Sequence, residues 1–141
     1  MTSVYIIGSL RNPEIPKVGA KLRAQGFEVF DDWYAAGPEA DDHWKAYEVA
    51  RGRTFKQALQ GRAARNVFRF DKANLDRADM AVLVLPAGKS GHLELGYFIG
   101  TGKPGFILTE PNSDRWDVMY AFANEVFFSE SEMVNHMMRC V

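Results

Sequence analysis

Apolar residues in this chain come in short unbroken runs, separated by longer amphipathic stretches. That pattern predicts strands covered on both faces and joined by helices. Val4-Tyr-Ile-Ile-Gly-Ser9 is the first run and predicts strand one. Pro13 and Pro16 suit a loop and a first helical turn, and Val18, Leu22 and a stop at Gly26 predict a helix returning across the sheet. Phe27-Glu-Val-Phe30 predicts strand two. Residues 31–37 are polar and aromatic, and residues 41–65 carry helix formers interrupted at Gly52 and Gly61, which predicts one or two helices. A short helix over 71–77 feeds strand three, Met80-Ala-Val-Leu-Val-Leu-Pro86. The small-residue loop Ser90-Gly91 then opens an amphipathic helix that runs towards Gly100. Gly105-Phe-Ile-Leu-Thr109 predicts strand four and Val126-Phe-Phe128 an edge strand. Ser129 with Glu132 three residues on predicts a capping box for a last helix, 131–139.

Alternation of this kind specifies right-handed crossovers and a mostly parallel sheet of five strands with helices on both faces. Without repeats or linkers, residues 1–141 read as a single domain carrying a helical insertion at about 33–65. Nearly half the residues are hydrophobic, enough for a substantial core. The net charge of −1 leaves no basic footprint for a nucleic-acid polymer. No apolar run nears the roughly 20 residues that span a bilayer, and the start lacks the pattern of a signal peptide. The single cysteine, Cys140, permits no internal disulfide and has no metal-ligand companions. A cytoplasmic protein without metal or cofactor is expected.

Candidate chemistry gathers at the carboxyl ends of the predicted strands, where open α/β sheets place their ligands. Glu94 follows strand three in what reads as the first turn of a helix. There, free N–H groups and the helix dipole favour an ionised carboxylate, a nucleophile ready at neutral pH. The same position also suits a carboxylate that merely stabilises the helix start. Gly91 and Gly96 leave the backbone open to a close-packed ligand. The strand-one loop, with Gly8, Ser9 and Arg11, comes out on the same edge, and Asp71 leans over it from before strand three. Neither G-x-G-x-x-G nor a Walker lysine is present, which argues against a dinucleotide dehydrogenase or a P-loop enzyme. Trp33 or Tyr34, after strand two, could stack on a base. Trp44 fits packing of the inserted helices better than ligand contact.

Taken together, Tyr5-Ile-Ile-Gly-Ser-Leu-Arg11, Asp71 with Leu75, Ala78 and Asp79, Ser90-Gly91, Glu94-Leu-Gly-Tyr97 and Gly102-Lys-Pro104 resemble the nucleoside 2-deoxyribosyltransferase family and the related deoxynucleoside monophosphate N-glycosidases. The resemblance spans most of the chain outside about 33–65. It implies a flavodoxin-like three-layer fold and cleavage of the C1′–N bond of a 2′-deoxynucleoside or its monophosphate, with transfer to another base or to water. It implies Glu94 as the nucleophile that forms a glycosyl-enzyme ester, Asp71 as the acid that protonates the leaving base, and Tyr5 as the residue that orients Glu94. It further implies a homo-oligomer with sites at subunit interfaces. Asp117 and Met119 would then reach a neighbour's ligand, although Asp117 equally suits the first turn of a core-facing helix.

The chain departs from the pattern of the nucleotide-specific relatives. Gly88 and Asp117 stand where those relatives use small hydroxyl residues around a phosphate, which favours an unphosphorylated nucleoside. Ser9, Arg11 and Ser90 argue the other way. His92 replaces a small residue beside the glycine. Two other functions fit the same pocket: a non-catalytic nucleotide-binding module, and an enzyme that cleaves NAD.

Overall fold

The computed structural model describes residues 1–141. Five strands, β1 (Ser3–Ile7), β2 (Glu28–Phe30), β3 (Met80–Val84), β4 (Gly105–Leu108) and β5 (Glu125–Phe127), form one sheet in the order β2-β1-β3-β4-β5. Every neighbouring pair is parallel, so the sheet is wholly rather than mostly parallel. This is the flavodoxin-type order, whose direction of winding reverses between β1 and β3.

Side chains alternate along each strand, so continuous apolar runs supply both faces. Val4, Ile6, Val82, Phe106 and Leu108 pack against α1 (Ile15–Ala24) and α6 (Glu130–Arg139). Tyr5, Ile7, Ala81, Leu83 and Ile107 face α4 (Arg62–Arg77) and α5 (Lys89–Gly100). In α1, Pro16 sits in the first turn, and Ile15, Val18 and Leu22 make the buried stripe. The turn that follows needs Gly26, at φ +93°. α6 starts as predicted at Ser129, whose hydroxyl accepts from the Glu132 N–H. The reciprocal box forms instead between Thr54 and Gln57, at the start of α3 (Phe55–Leu59).

Between β2 and β3 the chain forms a short 3₁₀ helix (Asp32–Ala36), then α2 (Ala40–Ala50), α3 and α4. Residues 41–65 thus hold α2, α3 and the start of α4, more than the one or two helices expected, and the helix expected at 71–77 is the end of that 16-residue α4. Gly61, read as an interruption, is the extended residue from which α4 starts, and nothing breaks the helix before Ala78. Trp44 meets Phe55 edge-on at 6.5 Å, joining α2 to α3 as its packing reading anticipated. No helix is long and apolar enough to cross a membrane.

Candidate active site

The site is built on the α4/α5 face of the sheet, beside the β1/β3 reversal. Tyr5 lies in the middle of β1. It is only 1 % exposed, with the Phe30 ring 5.0 Å away on β2 and the small Ala81 beside it on β3. From there its hydroxyl reaches α5 and donates to Glu94 Oε2 at 2.8 Å. Burial and the nearby carboxylates of Glu94 and Asp71 push the phenol well above its usual range. The phenol therefore keeps its proton and can only donate to a carboxylate.

Glu94 is not in the first turn of its helix. α5 begins at Lys89, so Ser90 and Gly91 are first-turn helical residues rather than a loop, and Glu94 stands in the second turn. The benefit of the dipole and of free N–H groups fades within the first turn, and desolvation takes over. Burial, assisted by the charge of Asp71, pushes the Glu94 carboxyl up to about 7 against the lowering effect of the Tyr5 hydrogen bond. The expectation of a carboxylate fully ionised at neutral pH by the helix start is thus replaced by one poised to gain or lose its proton there.

Asp71, two turns before the end of α4, faces the same pair and is half-buried. Burial raises its carboxyl too. Two carboxyl groups and a phenol thus share a partly dehydrated space, with a single hydrogen bond distinguishing Glu94 from Asp71. Such a set can carry a nucleophile and an acid at once. No group of three or more His, Cys, Asp or Glu side chains is placed to hold a metal.

Next to it, an open cleft of about 310 Å³ lies over the ends of β1 and β3, lined by Ser9, Arg11, Asn12, Pro86, Ala87, Gly88 and Arg115. Gly88 precedes α5 and offers no side-chain cap, so the N–H groups of the helix start point outward without one. Asn12 is 5 % exposed, and its Nδ2 has no partner although its Oδ1 accepts from the Glu14 N–H. Arg11 reaches Asp42 at 3.2 Å in a solvent-exposed pair, weak enough to yield to a better anion. From Gly88 to Glu94 the helix rises roughly 9 Å at 1.5 Å per residue.

The structure brings Tyr5, Asp71 and Glu94 together and places Ser9 and Arg11 in the cleft. The other predicted residues lie as follows. Gly8 and Gly91 lie close against the core. A Cβ on Gly8 would lie 2.5 Å from Ile15 Cδ1, and one on Gly91 would lie 3.0 Å from Leu83 Cδ1. Trp33 donates its Nε1–H to the Ile6 carbonyl at 2.8 Å and packs against both core layers. Ser90 is exposed and outside the cleft lining. Asp117 accepts the Met119 N–H at 2.8 Å, starting a second 3₁₀ helix (Val118–Phe122), and Met119 is exposed. Arg115 escapes the sequence reading, since an isolated basic residue in a polar loop carries no pattern.

No family model matches the chain, and no curated protein matches it in sequence. Solved structures do. The 2-deoxyribosyltransferase of Bacillus psychrosaccharolyticus matches with a TM-score of 0.66 at 17% identity, over 95% of this chain and 91% of its own. A conserved protein from Enterococcus faecalis V583 matches with a TM-score of 0.68 at 13% identity, over 100% and 99%. The CMP N-glycosidase of Clostridium botulinum matches with a TM-score of 0.59 at 12% identity, over 97% and 99%. The chain therefore has, over 95% and 97% of its length respectively, the fold of a 2-deoxyribosyltransferase and of a CMP N-glycosidase.

Proposed function

We propose that this chain cleaves the N-glycosidic bond of 2′-deoxynucleoside 5′-monophosphates, passing the sugar to water or to a second base. The observation that carries the reading is the Tyr5–Glu94 hydrogen bond, 2.8 Å long, with Asp71 facing it at the point where the sheet reverses. An ionised Glu94 oxygen attacks C1′ as the C1′–N bond breaks. The bonding pair leaves with the base, which takes the proton of Asp71. Positive charge building on the sugar carbon favours ionised Glu94 at that moment. Water, or the nitrogen of an acceptor base, then attacks C1′ of the ester and gives its proton to Asp71, which frees Glu94.

The cleft supports a phosphorylated substrate. Two arginines, a hydroxyl, an unpartnered buried amide and a helix start converge there. The Asp117 carboxylate, which would repel a phosphate, is engaged with the Met119 N–H outside the cleft. A phosphate at the helix start would set the sugar along the rise towards Glu94. In this proposal the working form is a homo-oligomer.

Chromatography of free base from a panel of deoxynucleosides, their 5′-monophosphates and NAD tests the reading. Base release from the monophosphates is expected. It should fall by roughly 10³-fold or more in Glu94→Ala and roughly 10²–10⁴-fold in Asp71→Asn. Release from free nucleosides alone overturns the phosphate assignment, and release from NAD alone overturns the substrate class. A wild type that binds the monophosphates but is as silent as Glu94→Ala is a binding module.

A further inference from the structure

Residues 110–122 cross from β4 to β5, and Tyr120, packed against the α4/α5 side of the core, is their main anchor. Only Ser113 and Tyr120 in this stretch are less than exposed. Its hydrogen bonds are local: Ser113 to Glu110, Arg115 and Trp116 to Ser113, Met119 and Tyr120 to Asp117, and Ala123 back to Tyr120. A single hydrogen bond ties the stretch to the body of the protein, between the Tyr120 hydroxyl and His92 Nε2 at 3.0 Å. The two rings also stack, 19° from parallel. On its other side His92 Nδ1 lies 2.7 Å from the Gly88 carbonyl. A carbonyl can only accept, so Nδ1 donates to it, while Nε2 pairs with the Tyr120 hydroxyl. One imidazole thus grips both the residue that starts α5 and the loop whose Arg115, five positions earlier, lines the cleft.

We propose that His92 and Tyr120 form a clasp that holds Arg115 over the cleft, making His92 a positioning residue for recognition of the substrate phosphate without contact to it. The inference rests on the phosphate reading of the cleft given above. Because the clasp acts through Arg115, its loss and the loss of Arg115 are one event energetically, and their effects do not add.

Two readouts test this. Hydrogen exchange, which needs no substrate, is expected to speed up across residues 110–122 in His92→Ala and in Tyr120→Phe, while β1, β3 and β4 keep their protection. Titration with inorganic phosphate is expected to show binding weakened roughly five- to tenfold in His92→Ala and in Arg115→Ala. The double variant His92→Ala/Arg115→Ala should bind no more weakly than Arg115→Ala. Tyr120→Phe keeps the aromatic ring, so it reports on the hydrogen bond even where His92→Ala disturbs the start of α5. Unchanged exchange in both clasp variants overturns the proposal, as does an additive double variant, which would mean that His92 contacts the anion itself. Wild type that binds no phosphate, with the exchange pattern as expected, overturns the phosphate reading and leaves the clasp a tether of the loop only.

Discussion

At the scale of single residues, Glu94 is where two opposing effects meet and dehydration prevails. Dehydration keeps its proton on, and the Tyr5 hydroxyl pulls it off. Since the reaction needs Glu94 ionised and Asp71 protonated, kcat/KM for base release is expected to be bell-shaped in pH, with the Glu94 midpoint near 7. Tyr5→Phe removes the contact that lowers the Glu94 pKa, so its midpoint should move to higher pH in the same profile. Stability carries the same signature. The folded chain holds this proton up to about 7 and the unfolded chain releases it near 4.5, so the contribution is complete below the lower value and lost as pH rises through the upper one. Glu94→Gln should therefore unfold at a higher temperature than wild type at about pH 8, by the equivalent of about 1–3 kcal/mol, and at the same temperature near pH 4. Calorimetry at the two pH values checks this. The residues themselves were legible: Glu94 and Asp71 flank strand three, and the resemblance added Tyr5. The state of Glu94 was not, because burial comes from what α4 and β1 bring from far along the chain, while helix-start chemistry is all that local spacing displays.

At the scale of elements, the site depends on how closely α5 lies on the sheet. Gly91 sets that approach, since a Cβ there would lie 3.0 Å from Leu83 Cδ1 and 3.3 Å from Ile7 Cγ2. Gly91→Val is expected to destabilise the fold by about 1–3 kcal/mol through overpacking. It should also lift α5 and draw Glu94 away from Tyr5. Loss of base release beyond the loss of folded protein, measured by activity against thermal unfolding, distinguishes displacement from simple instability. The strands followed from the apolar runs, since a covered parallel strand has few other compositions. Helix starts proved harder to read. Gly61 and Gly88 precede α4 and α5 in extended conformation, and a glycine in sequence reads as a break as readily as a beginning.

At the scale of the whole molecule, apolar side chains remain in water beside the site. Val67, Phe68 and Phe70 on α4 and Leu93 on α5 are each more than half exposed, and α4 buries only Leu75. Patches of this kind mark association surfaces. The proposed oligomer is expected to scatter light as a multiple of 15.9 kDa, and Phe68→Asp to shift the mass towards the single chain. A wild type that stays at the single-chain mass would sink the oligomer. The parallel sheet was legible through the rules of crossover connections and its flavodoxin-like arrangement through the resemblance, but a surface for another chain looks in sequence like any amphipathic helix, because its partner is not written beside it. The Tyr5–Glu94 bond joins residues 89 positions apart, and this bears on synthesis. A growing chain emerges with its phenol first and then extends through β2, four helices and β3 before the carboxylate that phenol will hold exists. Until α5 has left the ribosome and docked, the chain has no paired carboxyl groups and no cleft edge at Gly88. Base release would therefore report α5 docked on the sheet, and a split of the chain between α3 and α4 should yield two inert halves whose mixing restores turnover only when they reassemble.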